Sequence, residues 1–310
     1  MTMLRIKTML GFVLYLLLSQ QLISQQLQIT TMHSSGNPLI RNYTAKEYLA
    51  APQNCAVLQN ARGLIYVGSN EGAVLEFDGV HWRYIKTPKQ TSVWSLGSDE
   101  TGRVYLGAIG DFGFLAADSQ HTLHFQSLLE YVKVEDRKFT VVSFTHVTPN
   151  GVYFQSRQRI FCWKNDRLKV WKPQTVFLNS FWLNGDLYVY QQQIGLMKMK
   201  DDSLQLVSGV ENFSAKPVLA MLPYPTEEVH TAGHNPMLIG IAGEGLFLYN
   251  RQSLRPFPGA VNQFIRKNGI NCSAVLDDST FAIGTVEDGA VIFDSRGEII
   301  QIINAATGLA

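Results

Sequence analysis

Past residue 54 the chain alternates short apolar runs with clusters of Gly, Asn and Asp. Ala73, Leu75 and Phe77 alternate with Val74, Glu76 and Asp78, a period of two that sends successive side chains to opposite faces of a strand. The runs are rich in Val, Ile, Tyr, Phe and Trp and are bounded by turn residues, which is the composition of strands. Outside the N-terminus no stretch holds apolar residues at i, i+3, i+4 and i+7 for the length of a helix. Leu128 to Val134 comes nearest, and it is too short and too β-branched. The pattern predicts an all-β protein.

The runs repeat. Gly63-Leu-Ile-Tyr-Val-Gly68 with Gly72-Ala-Val-Leu-Glu-Phe-Asp78 returns as Gly102-Arg-Val-Tyr-Leu-Gly107 with Gly113-Phe-Leu-Ala-Ala-Asp118. Weaker copies follow at 151–163, 185–199, 237–249 and 280–293. The mean spacing is about 43 residues, in the range of a propeller blade. Four-stranded blades stacked around an axis explain both the period and the short turns. Six copies fill residues 54–310, and the expectation is a β-propeller with six blades present, part of a seven-bladed ring. Such an array must join or cap its ends. Residues 25–53 are read as a leader, with the stretch near Asn42 to Tyr48 a candidate closing strand.

Residues 1–24 need separate treatment. Arg5 and Lys7 precede the apolar run Met9 to Leu18, which gives way to Ser19, Gln20 and Gln21. That run is too short to span a bilayer, and its basic flank is that of a secretory signal. Removing it leaves 24 basic and 25 acidic residues, a formal charge of −1. Charged residues make up only 16% of the 310, so the chain is not a disordered one. Near-neutrality also argues against nucleic-acid binding by this segment, which would need a basic excess. Cys55, Cys162 and Cys272 stand far apart in an odd number, with no C-x-x-C pair. They are expected to be small buried apolar residues.

A family resemblance rests on several of these segments together. Gly36-Asn-Pro-Leu-Ile-Arg-Asn-Tyr-Thr-Ala-Lys-Glu-Tyr48, Pro52-Gln-Asn54, Arg62 to Gly68, Glu76-Phe-Asp-Gly79 with Trp82, and Gly107-Ala-Ile-Gly-Asp-Phe-Gly-Phe-Leu115 resemble the opening of bacterial two-component regulator propeller proteins. Met221-Leu-Pro-Tyr224, Gly245-Leu-Phe-Leu-Tyr249 and Ala282-Ile-Gly-Thr285 continue the pattern, while Cys55 stands where the family usually carries tryptophan. The resemblance implies a periplasmic ligand-binding sensor of two propellers. It also implies a tyrosine-rich β domain, a membrane helix and a cytoplasmic output, all outside this segment. Kinase, cyclase or DNA-binding activity would belong to that output, and no cofactor is implied.

Chemistry-bearing motifs are few. His121 with His124 and His230 with His234 have helical metal-clip spacings, but Pro225, Gly233 and Pro236 deny the second pair a helix, and both read as solvated loop residues. Gly107, Gly110 and Gly113 have no following helix to cradle a phosphate and read as turn glycines. Asp99-x-x-Gly102-x-x-Tyr105 is one residue out of register with a sialidase Asp-box. It reads as a turn closed by an Asp side chain, with Tyr105 packed in the blade. Trp163, Trp171 and Trp182 read as packing.

Repeat equivalence supplies the candidate ligand site. The turn between the second and third strands of successive copies carries Asn70 and Glu71, then Asp111, Gln192, Glu244, and Glu287 with Asp288. On one face of a propeller these carboxylates and amides would form a broken ring able to bind sugar hydroxyls or to hold a hard cation by oxygen ligands, though such residues also favour turns for their own sake. Trp82, Trp94 and Phe112 lie near this rim, where each reads either as blade-to-blade packing or as a ring to stack on a sugar; Trp94 and Phe112 are kept as site candidates. The expected function is an exported, non-catalytic sensor of a small molecule or oligosaccharide, joined to further blades and outputs of a longer protein or to a second copy. The alternatives are a structural interaction module and a propeller lyase or glycosidase.

Overall fold

The computed structural model describes residues 40–87, 89–225 and 236–309. The expected signal segment, most of the leader, and His230 and His234 lie outside the described residues. The chain divides after Arg41, and the unit from Asn42 onward holds the propeller.

Six antiparallel four-stranded sheets follow one another along the chain. Blade 1 is β1 (Asn54–Gln59), β2 (Ile65–Ser69), β3 (Ala73–Phe77) and β4 (Trp82–Lys86). Blade 2 is β5 (Val93–Ser98), β6 (Val104–Ala108), β7 (Asp111–Ala117) and β8 (Leu123–Ser127). Blade 3 is β9 (Val142–Thr148), β10 (Gly151–Ser156), β11 (Ile160–Lys164) and β12 (Arg167–Trp171). Blade 4 is β13 (Phe177–Leu183), β14 (Asp186–Gln191), β15 (Gly195–Lys200) and β16 (Ser203–Leu206). Blade 5 is β17 (Val218–Pro223), β18 (Met237–Ile241), β19 (Gly245–Tyr249) and β20 (Leu254–Pro256). Blade 6 is β21 (Cys272–Val275), β22 (Thr280–Gly284), β23 (Ala290–Asp294) and β24 (Ile299–Ile303). These are the six four-stranded blades of a β-propeller that the repeats predict.

Each blade is stabilised by its neighbour. Tyr66, Val74 and Ile85 of blade 1 meet Val93, Leu106 and Phe125 of blade 2. Phe112 of blade 2 meets Phe154 and Phe161 of blade 3. Apolar clusters of the same kind join blades 3 to 4, 4 to 5 and 5 to 6. The middle strands therefore bury both faces: every residue of β3, β6, β18 and β19 is buried. That accounts for the low charge of the chain, because ionisable groups are rarely buried unpaired.

The sixth junction differs. Each innermost strand packs on the next from β1 through β21, but β21 and β1 share no comparable contact among the described residues. In β22 and β23 burial alternates, so blade 6 covers one face only. The open face of blade 1 is partly covered by the leader. Residues Ala45–Tyr48 form one helical turn, α1, and not a strand. Tyr48 packs there on Val67 and Leu75, while Tyr43 contacts Phe77 and Trp82, which stack on each other. Val57, on β1 beyond this cover, remains 71% exposed.

Two further expectations are corrected. A nine-residue helix, α2 (Ala260–Asn268), joins blades 5 and 6. Its inward positions Val261, Ile265 and Asn268 follow helical spacing, but the last is polar and the run is short, which hides it from an apolar-pattern test. Among the cysteines, only Cys162 is buried; Cys55 is half-buried and Cys272 exposed, and all three are free. Cys55 and Cys272 lie on the innermost strands of the first and last blades, where no neighbouring blade covers them.

Candidate functional site

The antiparallel meander places the second-to-third-strand turns and the connectors between blades at the same end of every blade. The inner strand adds a repeated feature at that end. β1, β5, β9, β13 and β17 each begin with a one-residue bulge, at Cys55, Trp94, Ser143, Leu178 and Leu219. A bulge re-aims its side chain, and Trp94 is 37% exposed for that reason.

The turn residues are strapped to the connectors. Ser92 Oγ donates to Asn70 O at 2.8 Å and lies 2.6 Å from Asn70 Oδ1. Asn70 Nδ2 donates to Gln53 Oε1 at 3.1 Å. Asp111 Oδ1 accepts from Ser127 Oγ at 2.6 Å and from the Phe112 amide at 2.8 Å. Lys89 Nζ lies 3.6 Å from the other oxygen. Thr175 Oγ1 donates to Gln192 O at 2.6 Å. Glu244 pairs with Lys216, whose ammonium holds the carboxyl below the usual carboxylate range. Arg266 of α2 donates to Glu244 O at 2.8 Å. The Glu287 amide donates to Asn268 O at 3.2 Å, and Asn304 Nδ2 donates to Asp288 Oδ1 at 2.9 Å.

The candidate residues thus separate into two groups. Asn70, Asp111, Glu244 and Asp288 have side chains committed to blade contacts. Glu71, Gln192 and Glu287 are exposed, with no side-chain hydrogen bond or ion pair among the described residues. Phe112 is corrected outright: it is wholly buried, with Phe154 and Phe161 rings at 4.7 and 4.6 Å, and offers no face to a ligand.

Other motifs resolve as structure. Asp99 Oδ1 accepts from the amides of Thr101 and Arg103, and Tyr105 donates to Oδ2 at 3.2 Å, so this turn is closed by its Asp side chain as expected. Burial acts to raise the Asp99 carboxyl, and these hydrogen bonds outweigh it, leaving it below its ordinary value. Gly110 does take a positive φ of 64°, but Gly107 and Gly113 are needed for close approach. A Cβ on Gly113 would fall 2.0 Å from Gln126 O. His121 and His124 are exposed, and no group of three metal-ligating side chains occurs among the described residues.

Sequence reasoning missed His146. Its Nε2 lies 2.8 Å from Ser180 Oγ, linking β9 to β13. Burial lowers its pKa to about 4 and keeps the ring neutral. Ser180 is 2% exposed and out of a substrate's reach, so the pair serves as a polar link between inner strands. Ser95 with Thr145, 2.8 Å apart, is the equivalent link between β5 and β9. Such pairs join residues distant in sequence, and nothing local marks them.

No protein-family model and no curated protein matches the chain. Solved structures do share its fold. The extracellular domain of BT4673 from B. thetaiotaomicron, assigned to a one-component system, is similar at 12% identity and a TM-score of 0.58, covering 86% of this chain and 38% of that one. The WD40 propeller of Doa1 is similar at 10% identity and a TM-score of 0.57, covering 81% and 82%. Virginiamycin B lyase from Staphylococcus aureus gives 8% and 0.57, covering 77% and 78%. At these identities the likeness establishes a β-propeller.

Proposed function

We propose that this chain is the ligand-sensing propeller region of an exported bacterial signalling protein, with no catalysis of its own and an oligosaccharide as the ligand class. The observation that carries the reading is the strapping of the turns to the connectors. A ligand that engages Glu71, Gln192 and Glu287 touches loops whose neighbours hold one blade to the next. It therefore has a means of binding one blade arrangement better than another, which a switch requires. The likeness to an extracellular domain of a signalling protein, and the sequence resemblance to two-component regulator propellers, support the same reading. In this reading a further blade, from a longer polypeptide, occupies the uncovered faces of blades 1 and 6.

Calorimetric titration against an oligosaccharide panel tests it. Saturable binding that Gln192→Ala and Glu287→Ala weaken at unchanged melting temperature is expected; no heat from any member overturns it. The commitment of Asn70, Asp111 and Asp288 to blade contacts favours a second reading, a scaffold without a small ligand. Under that reading Asn70→Ala and Asp288→Ala lower the melting temperature and leave signalling by the longer protein intact.

A further inference from the structure

The seam between blades 4 and 5 carries a cleft of about 280 Å³ on the side of the outer strand β16. Two buried tyrosines line it, Tyr188 and Tyr249, each 2% exposed. Tyr249 OH donates to Ser208 O at 2.6 Å. Tyr188 OH makes no hydrogen bond among the described residues, yet it is not an enclosed atom, so it opens into the cleft. Burial pushes this phenol above its ordinary pKa, which keeps the proton on it at neutral pH.

Three cations line the same cleft, Lys198, Lys200 and Arg251, and no carboxylate does so among the described residues. Arg251 sits in the turn between β19 and β20 at a φ of 71°, a region that a residue other than glycine enters at a cost. Its side chain is only 21% exposed, and Nη1 lies 3.8 Å from Asp186 Oδ2. That oxygen is already held by Lys198 Nζ at 2.6 Å. The Arg251 guanidinium makes no hydrogen bond among the described residues. Its Nε is enclosed and out of a ligand's reach, whereas its two Nη groups are open to the cleft. Lys200 is exposed and forms no ion pair among the described residues. The nearby Glu211 carboxyl accepts from the Gly209 amide at 2.9 Å and does not line the cleft.

A charge largely removed from water is costly unless it is paired and hydrogen-bonded. The Nη groups, the lysine ammoniums and the Tyr188 hydroxyl that meet here are all donors, and charged donors select an oxyanion over a neutral ligand. Three positive charges against Asp186 leave two, so a dianion balances the cleft and a carboxylate balances half of it. The volume falls below the roughly 300–1,000 Å³ of pockets for drug-sized ligands, which suits a small ion or one end group of a larger molecule.

We infer that this cleft binds a divalent oxyanion, a phosphate or sulfate group, either free or as the ester of a larger molecule. The site is separate from the ring of turns and goes beyond the sensing proposal. The test is calorimetric titration of the protein at constant ionic strength with inorganic phosphate, inorganic sulfate, glucose 6-phosphate and glucose 6-sulfate, with acetate and glucose as controls. Saturable binding of at least one dianion is expected, at least tenfold tighter than acetate, with no binding of glucose. An ester that binds tighter than its inorganic ion marks an end group of a larger ligand, and the reverse order marks the free ion; each supports the site. Arg251→Gln is expected to weaken binding about tenfold to a hundredfold, as loss of a charge-assisted hydrogen bond does. Lys200→Gln and Tyr188→Phe are each expected to weaken it about twofold to tenfold. Because Lys200 is exposed, Lys200→Gln is expected to hold its melting temperature, which separates a lost site from a lost fold. Absence of binding by all four dianions overturns the proposal. So does an affinity for acetate equal to that for the dianions, or an affinity unchanged in both Lys200→Gln and Tyr188→Phe.

Discussion

His146 couples the inner strands to pH. Its folded pKa of about 4 lies below the ordinary 6.5, so between those values the unfolded chain binds the extra proton. Stability is therefore full above about pH 6.5 and falls as pH drops toward 4, by up to about 3 kcal/mol. Urea unfolding across that range should show the loss, and His146→Gln should flatten it. Phe112, whose ring is enclosed by blade 3, is expected to cost about 3–5 kcal/mol as Phe112→Ala, measured by the same method. At this scale sequence patterning reads Trp94 and Phe112 alike, as aromatics near one end of a blade. Only the bulge at Trp94 and the packing of Phe139, Phe154 and Phe161 around Phe112 separate the exposed one from the buried one.

At the scale of elements, the second and third strands of each blade were legible. Packed between neighbouring blades in blades 1 to 5, they carry dense apolar runs, several opened by glycine. The first and fourth strands have mixed burial, as in β4 and β16, and leave a weaker mark. The helix α2 was hidden because two of its four buried positions, Asn262 and Asn268, are polar. Asn262 Oδ1 accepts from the Leu246 amide at 2.8 Å, and its Nδ2 donates to Phe257 O at 2.7 Å. Asn262→Ala would leave these buried groups unmet, and a loss of about 1–3 kcal/mol is expected in chemical denaturation. Gly113→Ala should destabilise by a similar amount, since the strand pair β7–β8 must move apart to admit the methyl group.

At the scale of the molecule, the faces flanking the sixth junction govern reactivity. Cys272 is exposed, Cys55 is half-buried with its thiol pKa raised by burial, and Cys162 is buried. A thiol reagent should label Cys272 first, Cys55 more slowly and Cys162 only on unfolding, as mass spectrometry of digests would show. If a further blade fills the junction in a longer polypeptide, Cys272 should become protected there. Undiminished labelling would count against that occupant. No helix of the described residues is long and apolar enough to cross a membrane.

The amino-acid sequence by itself determined the all-β class, the blade period and which strands form each blade's middle, because burying both faces of a strand demands apolar residues in a repeating order. It also put Asn70, Glu71, Asp111, Gln192, Glu244, Glu287 and Asp288 in equivalent turns. Tertiary structure alone decided which of those side chains are occupied by neighbouring connectors, and that Ala45–Tyr48 caps blade 1 as a helical turn. It also brought Tyr188, Lys200 and Arg251 into one cleft. Periodicity follows from the local alternation of the backbone, whereas these groupings depend on how one blade turns against the next.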